Sequence, residues 1–403
     1  MNPDHYVPIL RAKRSEWRAL YALRPTTRSA ITPLLEIPRE LLESADTAAD
    51  NSLDGMVRRT AKAEKARALF FNNLDALGSD HRFLVDAGHL SAHGPSGQLV
   101  FWQHAMRAST RPLTKMVPVV RPMTPTNSRG EIAQIVTKLG GGIALRVTAS
   151  ELRQHLLPPL MASVRMSTGN EPDTMDLVVD LADDPNEMTI EEMRTLIPRL
   201  GDWRLWTVAA GPFPKDLEPF KLPQQIHFQD RAEWNAWRAQ ISAPQASRLP
   251  VFGDYTLFHG VYSPSPPIAG TISLRYATDT RIVVFRGSKP TKTGSERFEQ
   301  YHGHAQMLCA GEHFYGAGFS AGDQFIAARK LPPASHNLPE YWRTACINHH
   351  LETVVAQLRD PAGSTAGARP PALGPATAPP VLEDAIPSRA RGRTSRNQTS
   401  EAA

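Results

Sequence analysis

The chain has 403 residues, 41% hydrophobic and 21% charged, which excludes a disordered or fibrous protein as the main body. No run of about 18 apolar residues occurs, so no membrane span is expected. The first ten residues, MNPDHYVPIL, carry an acid and no long apolar core, unlike a secretory signal. The net charge is +5, but in residues 361–403 five arginines (Arg369, Arg389, Arg391, Arg393, Arg396) face Glu383, Asp384 and Glu401, leaving +2 there and +3 elsewhere. The body is close to neutral, so the basic balance alone does not call for a polyanionic partner. Two cysteines, Cys309 and Cys346, are too few to staple a chain of this size, and a reducing, cytoplasmic setting is expected.

In chain order, short apolar and β-branched runs predict strands at 6–11, 31–37, 83–87, 116–120, 143–147, 175–181, 205–209 and 251–255. Helical patterns fall between them. Ser15 starts one over 15–23, and Pro25 stops it. Others are expected over 57–77, 100–108, 130–139 (ended by three glycines), 150–166 with Ser150 as cap, 189–200 and 231–240. After the eighth strand the pattern changes. Residues 271–276 and 281–285 alternate apolar and polar around Ala277-Thr-Asp-Thr280, the mark of a hairpin. Helices follow over 295–308 and 339–358. From 361 the chain is Pro, Ala, Gly, Ser, Thr and Arg, the composition of a disordered tail.

Eight strands alternating with helices predict an α/β protein with a parallel sheet, closed as a (β/α)8 TIM-barrel-like fold. No G-x-G-x-x-G follows any strand, which removes the usual reason for an open nucleotide-binding sheet. The expected organisation is a barrel over 1–360, with a hairpin-plus-helix cap inserted at about 261–337 after strand 8, and the tail at 361–403. Such an insertion emerges at the C-terminal face, where barrel active sites sit.

The blocks YVPILRAKRSEW, ITPLLEIP, VFGDY, ISLRYATDTRIVVFRG and WRTACINHHL together resemble the "beta protein" family of bacteria and their phages, over most of residues 6–358. The resemblance implies an accessory factor of phage or mobile-element conflict.

Charged residues mark the strand ends. Glu36, Asp86, Asp180 and Asp254 end the second, third, sixth and eighth strands, and Arg11, Arg121 and Arg146 the first, fourth and fifth. In a barrel these ends converge on one mouth. The four acids are the candidate catalytic residues, with Glu36, Asp86 and Asp180 the candidate ligands of Mg²⁺ or Mn²⁺. Arg11, Arg121 and Arg146, with Arg275 and Arg286 from the hairpin, Tyr255 and His349, are the candidate contacts to an anionic substrate. The alternative for the same residues is a ring of structural ion pairs. His302-Gly-His304 with Glu312-His313 has ligand-type residues but no H-E-x-x-H, and Gly287–Gly294 is basic and glycine-flanked but lacks G-K. Two functions remain open: a metal-assisted hydrolase of a phosphodiester or phosphorylated substrate, or a non-catalytic protein that holds a nucleic acid, a nucleotide or a partner protein.

Overall fold

In the computed structural model, which describes residues 5–39, 52–77, 81–93, 96–108, 116–221, 225–242, 248–261, 271–289, 298–330 and 338–360, the eight apolar runs become eight parallel strands of a closed barrel. They are β1 (Tyr6–Leu10), β2 (Leu34–Glu36), β3 (Phe83–Asp86), β4 (Met116–Val120), β5 (Ile143–Thr148), β6 (Met175–Asp180), β7 (Leu205–Ala210) and β9 (Val251–Asp254). They follow one another in that order around the ring, and β9 closes it on β1, with Val7 opposite Gly253. Side chains alternate between two apolar environments, so nearly every strand residue is buried. Val7, Ile9, Leu34, Leu84, Val178 and Tyr255 fill the barrel. Tyr6, Leu10, Leu35, Val85, Val179 and Phe252 face the helices. Gly253 is required where β9 meets β7: a Cβ there would come within 2.9 Å of both Ala209 Cβ and Thr207 Cγ2.

The outer layer comprises α1 (Arg14–Tyr21), α2 (Pro25–Ser29), α3 (Leu53–Ala76), α4 (Ser96–Ala108), α5 (Thr126–Leu139), α6 (Ala149–Arg153), α7 (Leu157–Thr168), α8 (Ile190–Leu196) and α9 (Ala232–Ile241). The single helix expected over 150–166 is two. Thr148, not Ser150, caps the first, accepting from Glu151 N while Glu151 Oε2 accepts from Thr148 N. His155 then takes a positive φ, and Pro158-Pro159 opens α7, where their missing N–H groups cost nothing.

The cap differs from expectation in one respect. The hairpin forms as β10 (Ser273–Ala277) and β11 (Arg281–Arg286), but a third strand, β8 (Ile226–Asp230), pairs antiparallel with β11. It comes from the connection between β7 and β9, so two separate excursions build one sheet. With α10 (Gln300–Ala310), α11 (Ala321–Ala328) and the start of α12 (Pro339–Arg359), this sheet encloses a second apolar core around Leu274, Tyr276, Phe285, Tyr301, Phe325 and Trp342. Leu257 and Phe213, from the loops after β9 and β7, belong to that core, which fixes the cap to the mouth side of the barrel.

α12 joins the two cores. Every residue from Thr344 to Leu358 is buried, yet many are polar, and several find partners in different layers. Asn348 Nδ2 donates to Ala19 O of α1, and Glu352 accepts from Arg24 N and the Thr27 hydroxyl. His350 Nε2 reaches Asp254 of the barrel. Gln357 Nε2 donates to Asp279 O in the cap hairpin. No described helix is long and apolar enough to cross a membrane. The tail expected to be disordered lies outside the described residues.

Candidate functional site

Strand alternation decides which strand-end charges meet. β2, β3, β5 and β6 point Glu36, Asp86, Arg146 and Asp180 inward, two positions beyond the interior residues Leu34, Leu84, Ala144 and Val178. The Arg146 guanidinium sits among the three carboxylates. NH1 is 2.9 Å from Glu36 Oε1 and 2.7 Å from Asp86 Oδ2, and NH2 is 2.7 Å from Asp180 Oδ2. NH2 also donates to the Tyr255 hydroxyl, which donates in turn to Asp180 Oδ2 at 2.8 Å. Arg121 grips Asp86 with Nε and NH2, the latter at 2.6 Å. Gly88 permits this grip, because a Cβ there would lie 2.8 Å from Arg121 Nε. The cluster is buried except for Arg121, whose side chain is partly exposed.

Burial alone would raise the Glu36 pKa, but the Arg146 charge, with His89 and Arg121, outweighs it and holds the group down at about 2. Asp86 is likewise held well below the carboxylate range: Arg121 and Arg146 outweigh its burial. His89 was not anticipated from the sequence. It lies in the turn after β3, with Nε2 3.2 Å from Glu36 Oε1.

Asp254 does not join this cluster, contrary to the expectation of a single pocket. It follows Gly253 and precedes Tyr255, which both occupy interior positions, so its own side chain faces outward. There it accepts from the Tyr6 hydroxyl, from Thr256 N at 2.8 Å, and contacts His350 Nε2 at 2.8 Å. Arg231 is close by, with Nε 3.6 Å from Glu233 Oε1. Burial, reinforced by Asp254, pushes Glu233 up to about 7 against the pull of Arg231. A cavity of about 20 Å³ beside Glu233, bordered by Leu181, Val208, Trp237 and Phe252, has room for one water.

His349 is also away from the mouth. It is buried at the junction of α12 and the cap, stacked on Tyr276, with Nδ1 2.8 Å from Asp323 Oδ2 and Nε2 2.8 Å from Ala277 O. Arg286 ends β11 opposite Ser273, its backbone N–H donating to Gln225 O. Arg11 and Arg275 stand at the rim. Arg11 NH2 donates to His259 O at 2.8 Å, and Arg275 NH1 to Leu257 O at 2.7 Å, both carbonyls in the loop after β9. The two guanidiniums lie against the same ring, Phe258, and Arg275 also covers Phe213. Burial, then the nearby charges of Arg343 and Arg11, bring Arg275 down to about 10.

The opposite end of the barrel holds a pair that the sequence reading passed over. Asp176 points inward at the start of β6, fully buried, between Arg82 and both Nε and NH2 of Arg204. Among the described residues, no group of three or more His, Cys, Asp or Glu side chains could hold a metal ion. His302 Nδ1 is bound to Arg329 O instead, and burial brings His304 down to about 4.

The closed parallel ring, with a guanidinium–carboxylate floor beneath a cationic rim, defines a (β/α)8 barrel protein. A family model described as Beta protein matches residues 6–356, and the chain belongs to that family. No curated protein and no solved structure matches it.

Proposed function

We propose that the barrel mouth is a binding site for a small anionic ligand, held by Arg11 and Arg275 at the rim and by the exposed edge of Arg121. The observation that carries this reading is the setting of Arg275. It is partly buried, its side chain's one hydrogen bond among the described residues is to a carbonyl, and the charges beside it there are guanidiniums. Such crowding of cations is costly, and an anion placed among them relieves it. Phe213 and Phe258 supply apolar walls that fix the guanidinium planes. The floor serves to hold Arg121 and Tyr255 in place, its own charges being largely matched.

Metal-assisted hydrolysis is the weaker reading. Arg146 stands between Glu36, Asp86 and Asp180, so an ion bridging them would displace a guanidinium already within 2.9 Å of each. Titration calorimetry of the whole chain with methyl phosphate and with acetate tests the proposal. Binding should be saturable, and Arg275→Ala and Arg11→Ala should each weaken it by about tenfold or more, the value of one charged hydrogen bond. Absence of binding, or binding indifferent to both changes, would remove it. A melting shift with Mn²⁺ that Asp180→Asn abolishes would favour the hydrolase instead.

A further inference from the structure

The floor contains six carboxylate oxygens, and five of them have a donor close by. Asp86 Oδ1 accepts from Gly88 N at 2.8 Å and Oδ2 from Arg121 and Arg146. Asp180 Oδ1 accepts from Ala182 N at 2.9 Å and Oδ2 from Arg146 and Tyr255. Glu36 Oε1 faces Arg146 at 2.9 Å and His89 at 3.2 Å. Glu36 Oε2 has no hydrogen-bond partner, although Glu36 is only 1% exposed. A charged oxygen sealed from solvent without a donor is one of the more costly features a folded chain can carry. Of the neighbouring donors, Arg146 faces Oε1 and Arg121 is engaged on Asp86, with its NH2 3.8 Å from Glu36 Oε1, while His89 Nε2 lies 3.2 Å from Oε1 without completing a hydrogen bond to it. Leu10 pairs with Leu35 across β1 and β2, so the next residues, Arg11 and Glu36, are neighbours at the rim. The unsatisfied oxygen therefore belongs to the strand position beside a cation assigned above to the anion.

We propose that Glu36 Oε2 accepts a hydrogen bond from the ligand, so that the ligand is a small anion with a hydroxyl or amino group next to its charged group. This rests on the anion-binding reading of the mouth. Glu36 thereby becomes the residue that separates a hydroxyl- or amino-bearing anion from a bare one of the same charge.

Three probes at pH 8 test this by titration calorimetry: methyl phosphate, glycerol 3-phosphate and phosphoethanolamine. The wild-type chain should bind one of the last two at least about tenfold more tightly than methyl phosphate, and the one that gains identifies the donor as O–H or N–H. Glu36→Gln must keep its oxygen toward Arg146 and His89, which places the amide NH2 where Oε2 was, a donor in place of an acceptor. That variant's preference for the hydroxyl- or amino-bearing probe over methyl phosphate should shrink to less than about threefold. Arg275→Ala should weaken all three probes together. Equal wild-type affinities for the three, or a preference that survives in Glu36→Gln, would overturn the role of Glu36 and leave the anion site standing. No wild-type binding of any probe would overturn both. The wild-type comparison needs no variant, so poor folding of Glu36→Gln does not blunt the test.

Discussion

At the scale of single residues, position 146 dominates the mouth. Arg146→Met leaves three buried carboxylates without their shared cation, and such removals cost about 3–5 kcal/mol. Asp180→Asn leaves the guanidinium two acids and should cost less than Arg146→Met. Chemical denaturation of the three proteins gives the order directly. A change of less than about 1 kcal/mol in Arg146→Met would show that the cluster contributes nothing net. The pH dependence has two opposing parts. Glu36 and Asp86 have depressed pKa values, so their contribution is full above the unfolded carboxylate range near 4.5 and is lost as pH falls toward 2. Glu233 has the reverse sign. Its folded value, about 7, lies above its unfolded one, so stability falls as pH rises from about 4.5 to 7, by up to about 3 kcal/mol. Glu233→Gln should therefore melt with the wild type at pH 5 and above it at pH 8. A lower melting point at pH 8 would mean that the ion pair with Arg231 outweighs burial. The acids were visible in the sequence, but their grouping was not. Asp86, Asp180 and Asp254 share a local role, each accepting from the backbone N–H two residues on. That role makes a strand-end Asp useful whichever way it faces. Only the parity set by Gly253 and Tyr255 sends Asp254 outward, and VFGDY, with two adjacent apolar residues, does not reveal it.

At the scale of elements, the barrel strands were legible because each is a compact apolar run buried on two faces. β8 was not. Ile-His-Phe-Gln-Asp is partly exposed along its length, with Phe228 48% accessible, so it carries no buried-run signal, and its alternation spans only Ile226 to Gln229. It is recruited by pairing with β11, a tertiary effect. The helical stripe of α12 was also legible, but the partners of its polar residues, spread over α1, the turn into α2, β9 and the cap hairpin, were not. Gln357→Leu tests this. It removes one acceptor of Arg231 NH1 and the amide donor to Asp279 O, leaving NH1 with Thr278 O at 2.9 Å and Asp279 O with NH1 at 3.4 Å. The loss should be about 2–4 kcal/mol, more than a volume-matched change on a surface helix would give. Equal stability in urea would show that water replaces the amide.

At the scale of the whole molecule, the two cores share one helix and should unfold together. A single transition is expected by both tryptophan fluorescence and far-ultraviolet circular dichroism; two would show that the cap melts alone. Truncation after residue 360 should leave the melting temperature unchanged, since α12 ends at Arg359. The closed ring also sets a limit on packing. Gly253→Ala should destabilise by about 1–3 kcal/mol, because its methyl meets Ala209 and Thr207 inside the barrel.

The route of α12 has a consequence for synthesis. Asn348 bonds to Ala19 and Glu352 to Arg24, partners more than 320 residues apart. While the ribosome is still making the cap, the outward face of β1 lacks α12, and β1 itself could not pair on both sides until β9 emerged. The cover of β1 is complete only once α12, Pro339–Arg359, has been made. A nascent chain halted before Pro339 can close its ring but lacks α12, so the apolar surface that α12 covers on α1, β1 and the cap stays bare, a state in need of a chaperone.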